Sequence, residues 1–118
     1  MKQTSRGMIN TIQLILASAK RSAGAEAFSN SFKTFSCSEI RLFVDVTAET
    51  STSTLDIKIQ TSPDNSVWYT ATTLTQITAI GQFTDTATVI GPYVRIAYTV
   101  GGTDFTFSVK MSKNNAVS

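Results

Sequence analysis

Hydrophobic and polar positions alternate along most of this chain, with a period of two residues rather than the helical ~3.6. Ile40, Leu42, Val44 and Val46 interleave with Arg41, Phe43 and Asp45. Leu55, Ile57 and Ile59 interleave with Asp56, Lys58 and Gln60. Val94, Ile96, Tyr98 and Val100 share one face, and Phe105, Phe107, Val109 and Met111 form a last inward stripe. Successive strand side chains point to opposite faces, so each segment reads as a strand with one buried side. Near the start, Ile12, Leu14 and Leu16 are expected on one face and Thr11, Gln13 and Ile15 on the other. Residues 17–25 read as a loop or a short helical turn. Phe28, Phe32 and Phe35 sit in a Ser-rich strip that predicts one irregular strand or two short ones. Segments 68–77 and 81–90 complete the set.

The breaks between segments have turn chemistry. Ala48 to Ser53 is polar. In Ser62-Pro63-Asp64-Asn65-Ser66, Pro presets φ while Asp and Asn cap their own backbone. Gly91-Pro92 and Gly101-Gly102 interrupt the chain further on. About eight short strands at such spacings predict an all-β fold, a single antiparallel β-sandwich or jelly-roll-like domain. Residues 1–9 read as a flexible polar N-terminal arm, 10–113 as the sandwich, and 114–118 as a C-terminal tail.

Composition narrows the function. The 118 residues are 42% hydrophobic, enough for one domain with its own core. Only 15% are charged, so solubility rests on Ser and Thr, which make up roughly a quarter of the chain. A Thr- and Ser-rich strand face suits a pleated surface and is covered by a partner at low desolvation cost. The net charge is +2 and the cations are scattered, with Lys20 and Arg21 the adjacent pair. No clustered basic footprint points to nucleic acid. No run reaches the ~20 apolar residues of a membrane span. Lys2, Arg6 and the following apolar stretch resemble the start of a signal peptide. Asn10, Thr11 and Gln13 interrupt that stretch, and a signal peptide is not expected.

Candidate chemistry is sparse. There is no His and a single Cys, Cys37. That excludes an internal disulfide and a thiolate–imidazole metal cage, and leaves a serine nucleophile without its usual base. No phosphate-binding glycine motif is present. Asp45 and Asp56 are expected to make cross-strand ion pairs with Arg41 and Lys58. Asp64-Asn65-Ser66 has no Glu at calcium-loop spacing. The expectation is therefore a protein that is not an enzyme and holds no metal or cofactor. Trp68, Tyr69 and Tyr93 are the candidate exposed aromatic platform for stacking a sugar, with a plug at the sandwich end as the structural alternative for Trp68.

Several strings carry a resemblance. Ser62 to Trp68 is similar to a turn of discoidin-like binding modules over about ten residues, with Asn65 where those have Gly. A wider resemblance spans about residues 14–113. Leu16-Ala17-Ser18-Ala19-Lys20-Arg21, Leu42-Phe43-Val44-Asp45-Val46-Thr47-Ala48 and Thr54-Leu55-Asp56-Ile57-Lys58-Ile59-Gln60 come first. Leu74-Thr75-Gln76-Ile77-Thr78, Gly91-Pro92-Tyr93-Val94-Arg95-Ile96, Gly101-Gly102-Thr103 and Phe105-Thr106-Phe107-Ser108-Val109 follow. In order and spacing these resemble small structural proteins of tailed bacteriophages. The chain departs from that pattern at Asn65 and over residues 26–38. The resemblance implies a β-sandwich virion component, foremost a capsid decoration (cement) protein on the outer surface of the head, made in the host cytoplasm. Its partner would be the major capsid protein, and a homo-oligomer, a trimer for preference, would match shell symmetry. Lys2 and Arg6 in the arm are the candidate capsid contacts. Neighbouring roles are a tail, neck or head–tail completion protein. A carbohydrate-binding adhesion module is the alternative of a different class.

Overall fold

The computed structural model describes residues 7–33, 37–88 and 91–117, with side chains over 12–33, 39–88 and 91–112. The fold is all-β, as the alternation predicts. Among the described residues nine strands run β1 (Gly7–Ser22), β2 (Ala27–Phe28), β3 (Phe32–Lys33), β4 (Cys37–Glu49), β5 (Thr54–Ser62), β6 (Tyr69–Thr73), β7 (Gly81–Thr88), β8 (Tyr93–Gly101) and β9 (Asp104–Val117). They form two antiparallel sheets. One has the order β1-β9-β4-β7; the other has β2-β8-β5-β6, with β3 also on β8.

The two sheets pack through the stripes read from the sequence. Ile40, Leu42, Val44 and Val46 of β4 are buried against Leu55, Ile57 and Ile59 of β5 and the β8 and β9 stripes, all in one cluster. Phe105 and Phe107 are fully buried. Each such side chain contributes about 1.5–3 kcal/mol. The chain changes sheets at Glu49–Thr54, where Thr52 takes φ 69°. Gly102 has φ +83°, and a Cβ there would lie 2.8 Å from Ser53 Cα. Only a residue without a side chain lets the β8–β9 turn pass so close to the crossing.

Several expectations are corrected. Residues 7–9 are paired strand rather than arm, because Gly7, Met8 and Ile9 align with Val117, Ala116 and Asn115. The same ladder takes residues 114–117 out of the expected tail. A backbone ladder needs no apolar side chain, so hydropathy gave no sign of it. Residues 17–22 are also strand, not loop or helix, with Ala19, Lys20 and Arg21 opposite Phe107, Thr106 and Phe105. Pairing with β9 overrides the helical preference of Ala, Lys and Arg. The face of β1 differs too. Register shifts between Leu14, Leu16 and Ala19 turn Ile15 and Leu16 together toward the core. Ile12 and Leu14 stay 62% and 57% exposed. The described part of the Phe strip yields two two-residue strands, one of the outcomes expected, and Phe35 lies outside the described residues.

Candidate functional site

The outer face of the β2-β8-β5-β6 sheet carries a layered stack. Arg95 leaves β8 between the inward Val94 and Ile96, so alternation sends it outward. Its guanidinium lies 3.8 Å from the Phe28 ring centroid and 4.4 Å from that of Trp68. Arg95 Nε donates to Gln60 Oε1 at 2.8 Å, which fixes the plane of the fork. Glu26 pairs with Lys58 at 3.2 Å beside it. Burial draws the Arg95 guanidinium below its ordinary pKa, and the Glu26 charge acts in the opposite direction. An arginine keeps its proton regardless, so the stack holds a fixed cation between two rings.

The β5–β6 turn brings Trp68 there. Asp64 Oδ1 accepts the Ser66 and Val67 amides at 2.9 and 3.0 Å, and Ser62 Oγ donates to the same oxygen at 3.1 Å. These bonds to the ionised form, the Val67 amide foremost, lower the Asp64 pKa from its usual 3.8. Asn65 sits in the left-handed region at φ 63°, where Asn is tolerated. On the flank of this turn Thr61, Ser62, Pro63, Tyr69 and Gly91 line an open depression of about 360 Å³. A Cβ on Gly91 would lie 2.6 Å from the Ser62 carbonyl oxygen, so this wall is closed by a backbone contact.

Trp68, Tyr69 and Tyr93 have different surroundings. Arg95 covers a face of Trp68, Tyr69 lines the depression, and Tyr93 pairs across the ladder with Ser62. Among the described residues the ring–ring contact is Tyr98 against Phe107, at 5.5 Å and 78°. The expected ion pairs of Asp45 and Asp56 are also absent. β4 and β5 lie in different sheets. Asp56 instead accepts from Gln76 at 3.1 Å, and Arg41 donates to Thr84 at 3.2 Å. Lys2 and Arg6 lie outside the described residues. No cluster of three metal-ligating residues occurs among the described residues.

The outer face of the other sheet carries exposed apolar side chains. Leu14, Lys110, Phe43 and Thr84 lie in one row across β1, β9, β4 and β7, with Ile12, Ser112, Arg41 and Thr86 in the next. Ile12 and Leu14 are more than half exposed and Phe43 is 40% exposed. An open depression of about 530 Å³ runs along Arg41, Phe43, Asp45, Thr84 and Lys110.

Compared by sequence, the chain matches no family model and none of the curated proteins. Its fold does match solved structures. The PBSX exported protein XepA superposes with a TM-score of 0.71 at 16% identity, over 92% of this chain and 38% of that one. The SPBc2 prophage-derived protein YomS superposes with a TM-score of 0.61 at 11% identity, over 97% of this chain and 100% of that one. The shared property is the fold. This chain spans well under half of XepA but the whole of YomS. Both neighbours come from phage or prophage sources.

Sequence reading found Trp68 and the Asp64 turn but missed Phe28 and Arg95. The outward position of Arg95 was legible from Val94 and Ile96. Its ring partner was not, since Phe28 lies in the strip without a clear period.

Proposed function

We propose that this chain is a non-enzymatic structural protein of a phage particle, and that it decorates the outer head shell. The carrying observation is the end-to-end correspondence with the prophage-derived YomS. The outer face of the β1-β9-β4-β7 sheet supports the finer role. Thr84 and Thr86 on it desolvate cheaply, and Ile12, Leu14 and Phe43 offer apolar contact. The proposed partner is the major capsid protein. Modest contacts repeated over a symmetric shell gain through multivalency.

Mixing the purified protein with undecorated heads tests the reading. Co-sedimentation at hundreds of copies per head, with raised thermal resistance of the shell, is the expected result. Six or twelve copies would move the role to a neck or tail ring. No binding and no added resistance would sink the decoration role.

A second reading follows from XepA, whose name calls it exported and which matches 92% of this chain. On that reading the protein acts outside the cell, free of particles. Fractionating an infected culture separates the two: the protein travels with particles on the first reading and stays in the particle-free medium on the second.

A further inference from the structure

We propose that the N-terminal half of β1, residues 7–14, joins copies of this chain by pairing its free edge with the sheet of a second copy. β1 stands at the rim of its sheet and pairs with β9 alone among the described strands. A free strand edge presents unpaired N–H and C=O groups, and folded chains normally blunt such edges with bulges, charges or covering groups.

The two halves of β1 differ in that respect. The second half is blunted. Its register breaks twice, between Leu14 and Leu16 and between Leu16 and Ala19. Lys20 projects from it, and the Arg21 guanidinium occupies the Ala17 and Ala19 carbonyls at 2.8 and 3.1 Å. Among the described residues the first half has none of these devices. Its register with β9 is unbroken from Gly7↔Val117 to Leu14↔Lys110. No Pro and no charged residue occurs from Gly7 to Ala19. Ile12 and Leu14 are exposed on it. Eight regular residues span roughly 27 Å, longer than an ordinary strand.

Charge identifies the occupant. Like charges facing each other across a strand pair repel, and this segment has none to face. It pairs with its own sheet at no electrostatic cost and offers an unlike, charged strand nothing to complement. In-plane extension keeps Ile12 and Leu14 on the outer face, where they meet apolar positions of the neighbouring copy. The inference holds whether or not the protein sits on a phage head.

Sedimentation velocity on the full chain over a concentration series is the test. The wild type is expected to form a reversible homo-oligomer. Ile12→Lys and Leu14→Lys, both at exposed positions, are expected to weaken it by about tenfold or more while the far-ultraviolet spectrum stays that of a folded sandwich. Phe43→Ala, on the same face but two strands inward, is expected to leave the oligomer intact. Amide exchange over residues 8–14 should slow as concentration rises. A wild type that stays monomeric at every concentration overturns the proposal. So does an oligomer indifferent to both lysines, or one lost in Phe43→Ala with β1 exchange unchanged, which would point to face-on stacking.

Discussion

Asp64 holds the β5–β6 turn through its charge. Its oxygen accepts two backbone amides and the Ser62 hydroxyl, and these bonds lower its pKa in the folded protein. A lowered folded-state pKa gives stability that is fully present above the unfolded value of 3.8 and lost as pH falls through the folded value. Asp64→Asn keeps an acceptor oxygen but no charge. The stability gap between wild type and variant is therefore expected to be constant above that point and to shrink below it, read by urea unfolding across pH. A gap that ignores pH would mean the charge has no part in the turn. Arg95 makes a different kind of bond. Arg95→Lys retains the cation but loses the planar fork between Phe28 and Trp68, at an expected cost of about 1–2 kcal/mol in chemical unfolding. Asp64 was legible from the sequence because its partners are three residues away or fewer. The Arg95 stack was not, because it joins β8, the β5–β6 turn and the two-residue β2.

At the scale of the element, β1 shows what alternation does and does not reveal. The period of β4, β5, β8 and β9 is unbroken over their core-facing residues, so their faces were readable. β1 looks just as regular in sequence, yet its bulges send Ile15 and Leu16 inward and leave Leu14 exposed. A bulge inserts a residue without any hydropathy signature of its own. Arg21 fastens this one. Besides the Ala17 and Ala19 carbonyls, its guanidinium donates to the Phe107 carbonyl at 2.7 Å and lies 4.6 Å from the Phe107 ring centroid. Thermal unfolding can read the bulged face directly. Leu16→Ala is expected to cost about 1–3 kcal/mol and Leu14→Ala less than about 0.5 kcal/mol. The unbulged alternation would make the two equal. Arg21→Ala is expected to cost about 1–2 kcal/mol, since it removes the part-buried bond to the Phe107 carbonyl and the contact with the Phe107 ring, while the exposed Ala17 and Ala19 carbonyls pass to water.

The whole molecule is longer than its chain length suggests. Its radius of gyration is 15.3 Å and its extents are 53 × 32 × 20 Å, against a radius of about 13.5 Å for an average compact domain of this size. The cause is unequal sheets. β1, β9 and β4 have 16, 14 and 13 residues, while no strand of the second sheet exceeds nine. That difference was not legible from hydropathy, because the overhang is made by strand ends whose backbone pairs without a buried stripe. It has a consequence for how the fold depends on its ends. β9 lies between β1 and β4, so the last strand joins the first to the rest of its sheet. Phe105, Phe107, Val109 and Met111 also supply much of the core. A chain ended at Thr103 loses that stripe and leaves β1 with no partner, and it is expected to be unfolded by circular dichroism. A chain ended at Ser112 keeps the stripe and the pairing of β1 from Ile12 onward. It is expected to remain folded with a lower melting temperature, and to lose the regular edge of residues 7–11 that β9 holds in place. If both truncations fold equally well, the overhang and the core stripe are not coupled through β9, and the sandwich closes without its terminal strand.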